Sequence, residues 1–228
     1  MKRDWKSPRG QFIQALALAS IASIGLFLYG AAKNSDFAYN YLVWNLFLAW
    51  LPLLFAVRLM TVLHSKLWSS WEALGMTALW LLFLPNSFYM ISDYIHIQEL
   101  TRVDILFDVV MFSSFIFTGV VLGFCSLYLI HLQLRSRFND ITTSILIAGI
   151  LLLCSAAIFI GRDLRWNSWD ILTNPGGLLF DVSNRIQNLA DYPQMLLTII
   201  TFFILLSTMY LLLWRGANLL VKTEGTTR

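Results

Sequence analysis

The sequence predicts an all-α fold: a polytopic membrane helix bundle of about six transmembrane helices, with a short amphipathic interfacial helix in the last outer loop. Three observations carry this. The first is composition: 58% of residues are apolar and only 13% charged, with a mean hydropathy of +0.68. A soluble domain carries roughly twice that charged fraction. The second is the recurrence of apolar runs near the length that crosses hydrocarbon. The third is that polar residues gather between those runs. Helices are the open-chain structure that satisfies every backbone group in lipid. Nine Trp, eight Tyr and seventeen Phe fit a chain solvated by acyl chains and headgroups. The net charge of +3 comes without a concentrated basic face, which excludes nucleic acid as a partner. Cys125 and Cys154 both lie inside apolar runs and read as small buried residues; no disulfide framework or zinc spacing is present.

In chain order, a basic N-terminal segment precedes an apolar run from Phe12 to Ala32. At 21 residues it exceeds a signal-peptide core and reads as a retained transmembrane helix. Its Ala15, Ala19 and Ser23 form a small-residue stripe for close helix approach. The second span, 41–57, is interrupted by Asn45 and Pro52, and a polar segment Arg58–Lys66 follows. The third, 71–91, contains Pro85. The fourth, 105–130, carries Asp108 near its start and a Gly119–Gly123 pair. That pair is either a helix-packing device or a chance match in apolar sequence. A basic turn, His131–Asp140, leads to the fifth span, 141–160, and the last is 195–214. No domain boundary, repeat or low-complexity tract stands out, so residues 1–228 read as a single integral membrane domain.

Lys and Arg decide the orientation. The N-terminal segment, 58–66, 131–140 and the chain from Arg215 together hold eleven; the alternate segments hold five. Both termini are therefore expected in the cytoplasm. Nine of the thirteen acids lie on or near the other, outer side.

That outer polarity centres on Leu84–His96, L-P-N-S-F-Y-M-I-S-D-Y-I-H. Pro85 kinks the helix or ends its regular hydrogen bonding, and Asn86 is placed to satisfy the freed groups. Asp93 and His96 follow three residues apart, on one face if the stretch is helical. Asp104 and Asp108, four apart, begin the next span from the same side. Three readings fit: a polar network that caps helices and binds headgroups, a binding or catalytic site in which Asp93 and His96 transfer protons, and a divalent-metal site at Asp93 and His96 completed by Asp104 or Asp108. The metal is the least favoured, because D-x-x-H alone is a weak signal. Asp108 lies about 6 Å inside its span at 1.5 Å per residue. It either faces protein with a functional or paired role or is exposed at the interface.

A second concentration, Gly161–Asp170, leaves the fifth span as G-R-D-L-R-W-N-S-W-D. Arg162 and Arg165 suit carboxylate or phosphate; Trp166 and Trp169 suit the interface. The segment is either a headgroup-contacting belt or an anion clamp. In the second case Arg162 or Arg165 reaches the acids or binds a phosphate-bearing lipid beside them. Beyond it, Asn174 and Pro175 read as an N-cap and first helical residue. Leu178, Leu179, Val182, Ile186 and Leu189 then face away from Asp181, Asn184, Arg185 and Asn188. The result is an amphipathic helix on the outer surface, either floating in the interface or covering the polar cluster.

The L-P-N-S-F-Y-M-I-S-D-Y-I-H stretch, the Asp of the following span and G-R-D-L-R-W-N-S-W-D-I-L resemble the signature of a bacterial multi-pass membrane family catalogued as domain of unknown function 1361. The resemblance covers roughly Asn45 to Trp214. It maps to Pro85, Asn86, Tyr89, Asp93, His96, Asp108, Gly161, Arg162, Arg165, Trp166, Asn167, Ser168, Trp169 and Asp170, with no departure. It implies a membrane protein and no established activity.

Two function classes remain. One is a lipid- or envelope-acting enzyme or binding protein of a bacterial cytoplasmic membrane. Asp93 and His96 would then be catalytic, and Asn86, Asp104, Asp108, Arg162, Arg165, Trp166, Asn167, Trp169 and Asp170 would bind an anionic or phosphate-bearing headgroup. The other is a non-catalytic component, a small-solute permease or an assembly partner, whose motifs are structural. The nearly apolar inner halves of the spans count against a permease.

Overall fold

The computed structural model describes residues 8–34, 37–99, 105–166, 170–188 and 191–226. Those residues form α1 (Pro8–Asn34), α2 (Asn40–Leu63), α3 (Trp71–Tyr89), a 3₁₀ segment Met90–Glu99, α4 (Ile105–Arg135), α5 (Asp140–Asp163), a single turn α6 (Asp170–Thr173), α7 (Pro175–Gln187) and α8 (Pro193–Thr226). Among the described residues six helical stretches are long and apolar enough to cross a membrane: Gly10–Lys33, Asn40–Leu63, Trp71–Ile97, Ile105–Arg135, Asp140–Asp163 and Pro193–Leu219. The fold is the all-α membrane bundle expected from composition. The chain forms two compact units, Met1–Ser126 and Leu127–Arg228, with the boundary inside α4.

In the first unit α1 buries Leu16, Ser20, Ser23, Phe27 and Ala31. The expected stripe shares only Ser23 with this face; Ala15 is exposed and Ala19 half-buried. A hydrogen bond sets the rotation, because Trp50 of α2 donates its indole N–H to the Ser20 hydroxyl at 3.0 Å. An indole N–H in hydrocarbon needs an acceptor, and Ser20 supplies it. α1 also approaches α4 at Gly30, where a Cβ would stand 2.9 Å from the Phe107 ring.

α2 runs unbroken through Asn45 and Pro52, contrary to the expected interruption, and continues past Val57 to Leu63. A proline removes one N–H and crowds one carbonyl, and Pro52 does so here without ending the helix. The extra turns put Arg58 inside α2, where it pairs with Glu72 at 2.7 Å, while Lys66 holds the other carboxylate oxygen at 2.5 Å. α3 begins at an N-cap: Ser70 accepts from the Ala73 N–H at 3.4 Å. It packs on α2, and the Ser87 hydroxyl donates to the Ala49 carbonyl of α2 at 3.2 Å.

The Gly119–Gly123 pair is a packing device. A Cβ on Gly123 would lie 2.7 Å from the Ser87 Cβ and 2.9 Å from the Phe88 ring; one on Gly119 would lie 3.3 Å from the Ser87 carbonyl oxygen. The backbone of α4 therefore lies directly against α3. Trp80 secures the same contact farther along by donating to Ser126 at 3.2 Å.

In the second unit Asn139 caps α5 by accepting from the Thr142 N–H at 2.8 Å. Thr143, Ile147, Leu151, Cys154 and Ile158 form its buried face, and α8 packs against α5. α4 continues one turn beyond the expected end at Ile130, to Arg135. This places His131 in the helix rather than in a basic turn. Its imidazole Nδ1 lies 2.8 Å from the Tyr210 hydroxyl, and its ring stacks on Trp214 at 3.6 Å between centroids.

Candidate functional site

The end of the first unit where α1 finishes, α2 begins, α3 finishes and α4 begins gathers its buried acids. Pro85 does not end α3, which continues to Tyr89. Asn86 donates its side-chain amide to the Phe83 carbonyl at 3.1 Å. The carbonyl whose helical donor Pro85 lacks is that of Leu81, four residues before it, so this bond is not the one expected of Asn86. At Met90 the helix tightens to 3₁₀ geometry. Three residues per turn brings i and i+3 into register along one edge, so Met90, Asp93 and His96 share a face more strictly than on an α-helix. That face turns inward: Met90 and Asp93 are buried and His96 half-buried, while Tyr94 and Ile95 are exposed.

Asp93 is only 3% exposed. The Asn45 side chain of α2 donates to its Oδ2 at 3.1 Å. A buried carboxylate without donors would cost several kcal/mol, and this amide supplies one. It also explains an amide inside an apolar helix. His96 meets the Tyr41 ring edge-on, with centroids 5.5 Å apart. Tyr41 meets Tyr39 at 6.3 Å, and Tyr39 meets Phe112 of α4 at 5.1 Å. One turn before Phe112 on the same helix face stands Asp108, only 1% exposed. Interface exposure of Asp108, the alternative open from sequence, is excluded; its carboxylate is enclosed by protein. The exposed flank of the 3₁₀ segment is tied to α4 by Tyr94 and Ser113, whose hydroxyls are 2.9 Å apart.

Chemically, this end of the unit presents an oriented, buried carboxylate with an imidazole on the same edge, and a second buried carboxylate on the facing helix. A carboxylate and an imidazole so placed can accept and deliver protons. Among the described residues no three of His, Cys, Asp and Glu come together to hold a metal. Asp104 lies outside the described residues, as do Asn167, Ser168 and Trp169. Asn45, Tyr39 and Tyr41 were missed as site residues. Asn45 had a readable signal, since an amide in a hydrocarbon span needs a polar partner; two tyrosines at the start of a span look like ordinary interfacial residues.

The Arg-Trp segment belongs to the second unit. Arg162 is half-buried in the last turn of α5. Arg165 follows the helix in the left-handed region at φ 57°, and the next N–H, of Trp166, returns to the Ile160 carbonyl at 3.3 Å. A non-glycine residue there costs roughly 1–2 kcal/mol, and this sequence places an exposed arginine on the turn. Trp166 reaches α7: its indole N–H donates to Asp181 at 3.0 Å, and its ring fills the space beside Gly177. Asp170 opens α6 and accepts from the Thr173 hydroxyl at 3.3 Å. Asn174 caps α7 as expected, accepting from the Gly177 N–H at 3.1 Å.

Six apolar helices and buried acids at one end of the first unit define a multi-pass membrane protein. The chain belongs to the family described as Protein of unknown function (DUF1361), whose pattern matches residues 44–209. The match takes in Asn45, Asp93, His96, Asp108 and the whole Arg-Trp segment, and begins beyond α1. No curated protein and no solved structure matches the chain.

Proposed function

We propose that the buried acidic end of the first unit is a proton-transfer site at the extracytoplasmic face of a bacterial cytoplasmic membrane, and that it acts on a lipid headgroup or another envelope substrate. Asp93 and His96 are the acid–base pair, and Asp108 is a second carboxylate of the same site. The observation that carries this reading is the burial of two carboxylates, Asp93 and Asp108, at the helix ends of one unit, the first oriented by Asn45. Ionisable groups inside membrane segments are costly and are kept where they do work. The side of the membrane rests on the excess of Lys and Arg in the alternate segments. In the second unit, Arg162 and Arg165 contact anionic headgroups.

The test is complementation of a strain that lacks the protein, with the envelope lipid profile read by mass spectrometry. Wild type and Ser144→Ala, a change at an exposed α5 hydroxyl that bonds only its own helix, should restore the profile. His96→Ala, Asp93→Asn and Asp108→Asn should not, at equal accumulation in the membrane. If all three acid–base variants accumulate and restore the profile, the site is structural and the reading is discarded.

A further inference from the structure

α7 is amphipathic, yet it is fastened by its polar edge. At 3.6 residues per turn, Gly177, Asp181 and Arg185 form one edge of the helix. Trp166 covers the first two: a Cβ on Gly177 would meet its ring at 2.9 Å, and its N–H bonds Asp181 at 3.0 Å. Arg185 lies over the Tyr192 ring, 5.0 Å from its centroid. The neighbouring apolar arc holds Leu178 and Val182, half-buried, and Leu179 and Ile186, exposed at 68% and 53%. Ser183, Asn184 and Gln187 are exposed beyond that arc, with Phe180, exposed at 70%, as the one apolar residue among them. A helix packed on a water-soluble body shows the reverse arrangement, apolar arc inward. Trp166 and Tyr192 thus hold α7 in a rotation that leaves its apolar arc facing outward.

We infer that this arc, centred on Leu179 and Ile186, is a contact surface for phospholipid acyl chains at the leaflet boundary. The tethers identify the occupant. Eleven residues separate Asp163 from Pro175, and five separate Gln187 from Pro193. Five residues reach at most about 20 Å, and on their far side begins α8, an apolar membrane-spanning helix. The end of α7 therefore stays within one short tether of the bilayer, whose acyl boundary accepts an apolar arc flanked by polar residues. This inference does not depend on the assignment of Asp93 and His96.

Depth-dependent fluorescence quenching tests it. In full-length protein carrying Cys125→Ala and Cys154→Ala, single cysteines at Leu179, Ile186, Asn184 and Gln187 are labelled with bimane. The protein is then placed in phosphatidylcholine–phosphatidylglycerol nanodiscs. Lipid carrying a nitroxide high on its acyl chain should quench labels at 179 and 186 about twofold or more above those at 184 and 187. Aqueous iodide should give the opposite order. Equal quenching at the four positions, or iodide quenching strongest at 179 and 186, overturns the inference. A background that keeps both native cysteines serves if the substituted protein misfolds: wild type in vesicles of photoactivatable phosphatidylcholine, with adducts mapped by mass spectrometry. Lipid adducts within 175–187 are expected; a protein–protein adduct there in place of lipid identifies a second copy as the occupant and overturns it.

Discussion

Asn45 contributes to stability as the hydrogen-bond partner of Asp93. It lies in α2 and its partner in the 3₁₀ segment, 3.1 Å away. Asn45→Ala takes this one bond from a buried carboxylate, and the loss of a hydrogen bond to a charged group costs about 1–3 kcal/mol. A double-mutant cycle on Asn45→Ala and Asp93→Ala, read by thermal unfolding in detergent, should therefore show coupling of about 1–3 kcal/mol. Additive losses would mean that the bond contributes nothing in solution. Arg165 calls for the opposite design. Its left-handed backbone suits glycine, so Arg165→Gly should raise stability by about 1 kcal/mol, while anionic lipid carried through purification, measured by native mass spectrometry, falls. Unchanged lipid would limit Arg165 to a turn residue. At this scale the sequence was partly legible. Asp93, His96 and Asp108 announced themselves as polar groups at the ends of apolar runs. Asn45 was visible only as an interruption, because which partner an amide meets depends on helix rotation, and rotation is set by contacts such as Trp50 on Ser20. His131 and its neighbours Tyr210 and Trp214 were hidden by a misplaced helix end, since nothing in L-I-H-L-Q-L-R stops a helix at Ile130.

Elements in this protein meet through small residues, and the glycines separate a contact from a coincidence. Gly123 and Gly149 both sit inside apolar helices. A methyl group on Gly123 would strike Ser87 and Phe88 of α3 at 2.7–3.0 Å; one on Gly149 would have no neighbour within 4 Å. Gly123→Ala should accordingly destabilise the fold by about 1–3 kcal/mol through overpacking. Gly149→Ala should be neutral or stabilise by a few tenths up to about 1 kcal/mol, the helix-propensity gain. Equal effects of the two substitutions would contradict the α3–α4 contact. Sequence alone found the Gly119–Gly123 pair but could not decide between device and chance, because the deciding fact is which residues of α3 lie opposite. The α1 stripe shows the same limit: Ala15 and Ala19 have the right spacing, yet the buried face runs through Leu16 and Ser20. α7 was the most legible element. Its cap, its first proline and its amphipathic period are all local, and the Asn174 side chain performs the capping bond that its position predicts. What could not be read locally was the direction in which the apolar arc points, since Trp166 and Tyr192 lie outside the helix.

At the scale of the whole molecule, six spanning helices were legible because hydrocarbon imposes length and composition directly on sequence. Helix ends were not, since apolar helices continue into the interface until a cap or turn stops them. α2 runs on to Leu63 and α4 to Arg135 for this reason. Orientation is a separate question from fold: a helix bundle is equally compact either way up, and the asymmetry lies in Lys and Arg. Eleven such residues fall in one set of alternate segments and five in the other, and the positive-inside rule predicts the richer set in the cytoplasm. Arg58 and Lys66, paired with Glu72, and Arg135, paired with Asp140 at 2.8 Å, belong by sequence order to the richer set of segments; their pairing leaves the count unchanged, because acids contribute little to the rule. Fusing alkaline phosphatase, active only outside the cytoplasm, after Gln98 or after Asn188 should give active enzyme. Fusion after Ser65 or Arg137 should give inactive enzyme, and green fluorescent protein after Arg228 should fluoresce. The reverse pattern would place Asp93, His96 and Asp108 on the cytoplasmic face. The acid–base chemistry would survive that result, but its substrate would have to be cytoplasmic, and the envelope reading would fall.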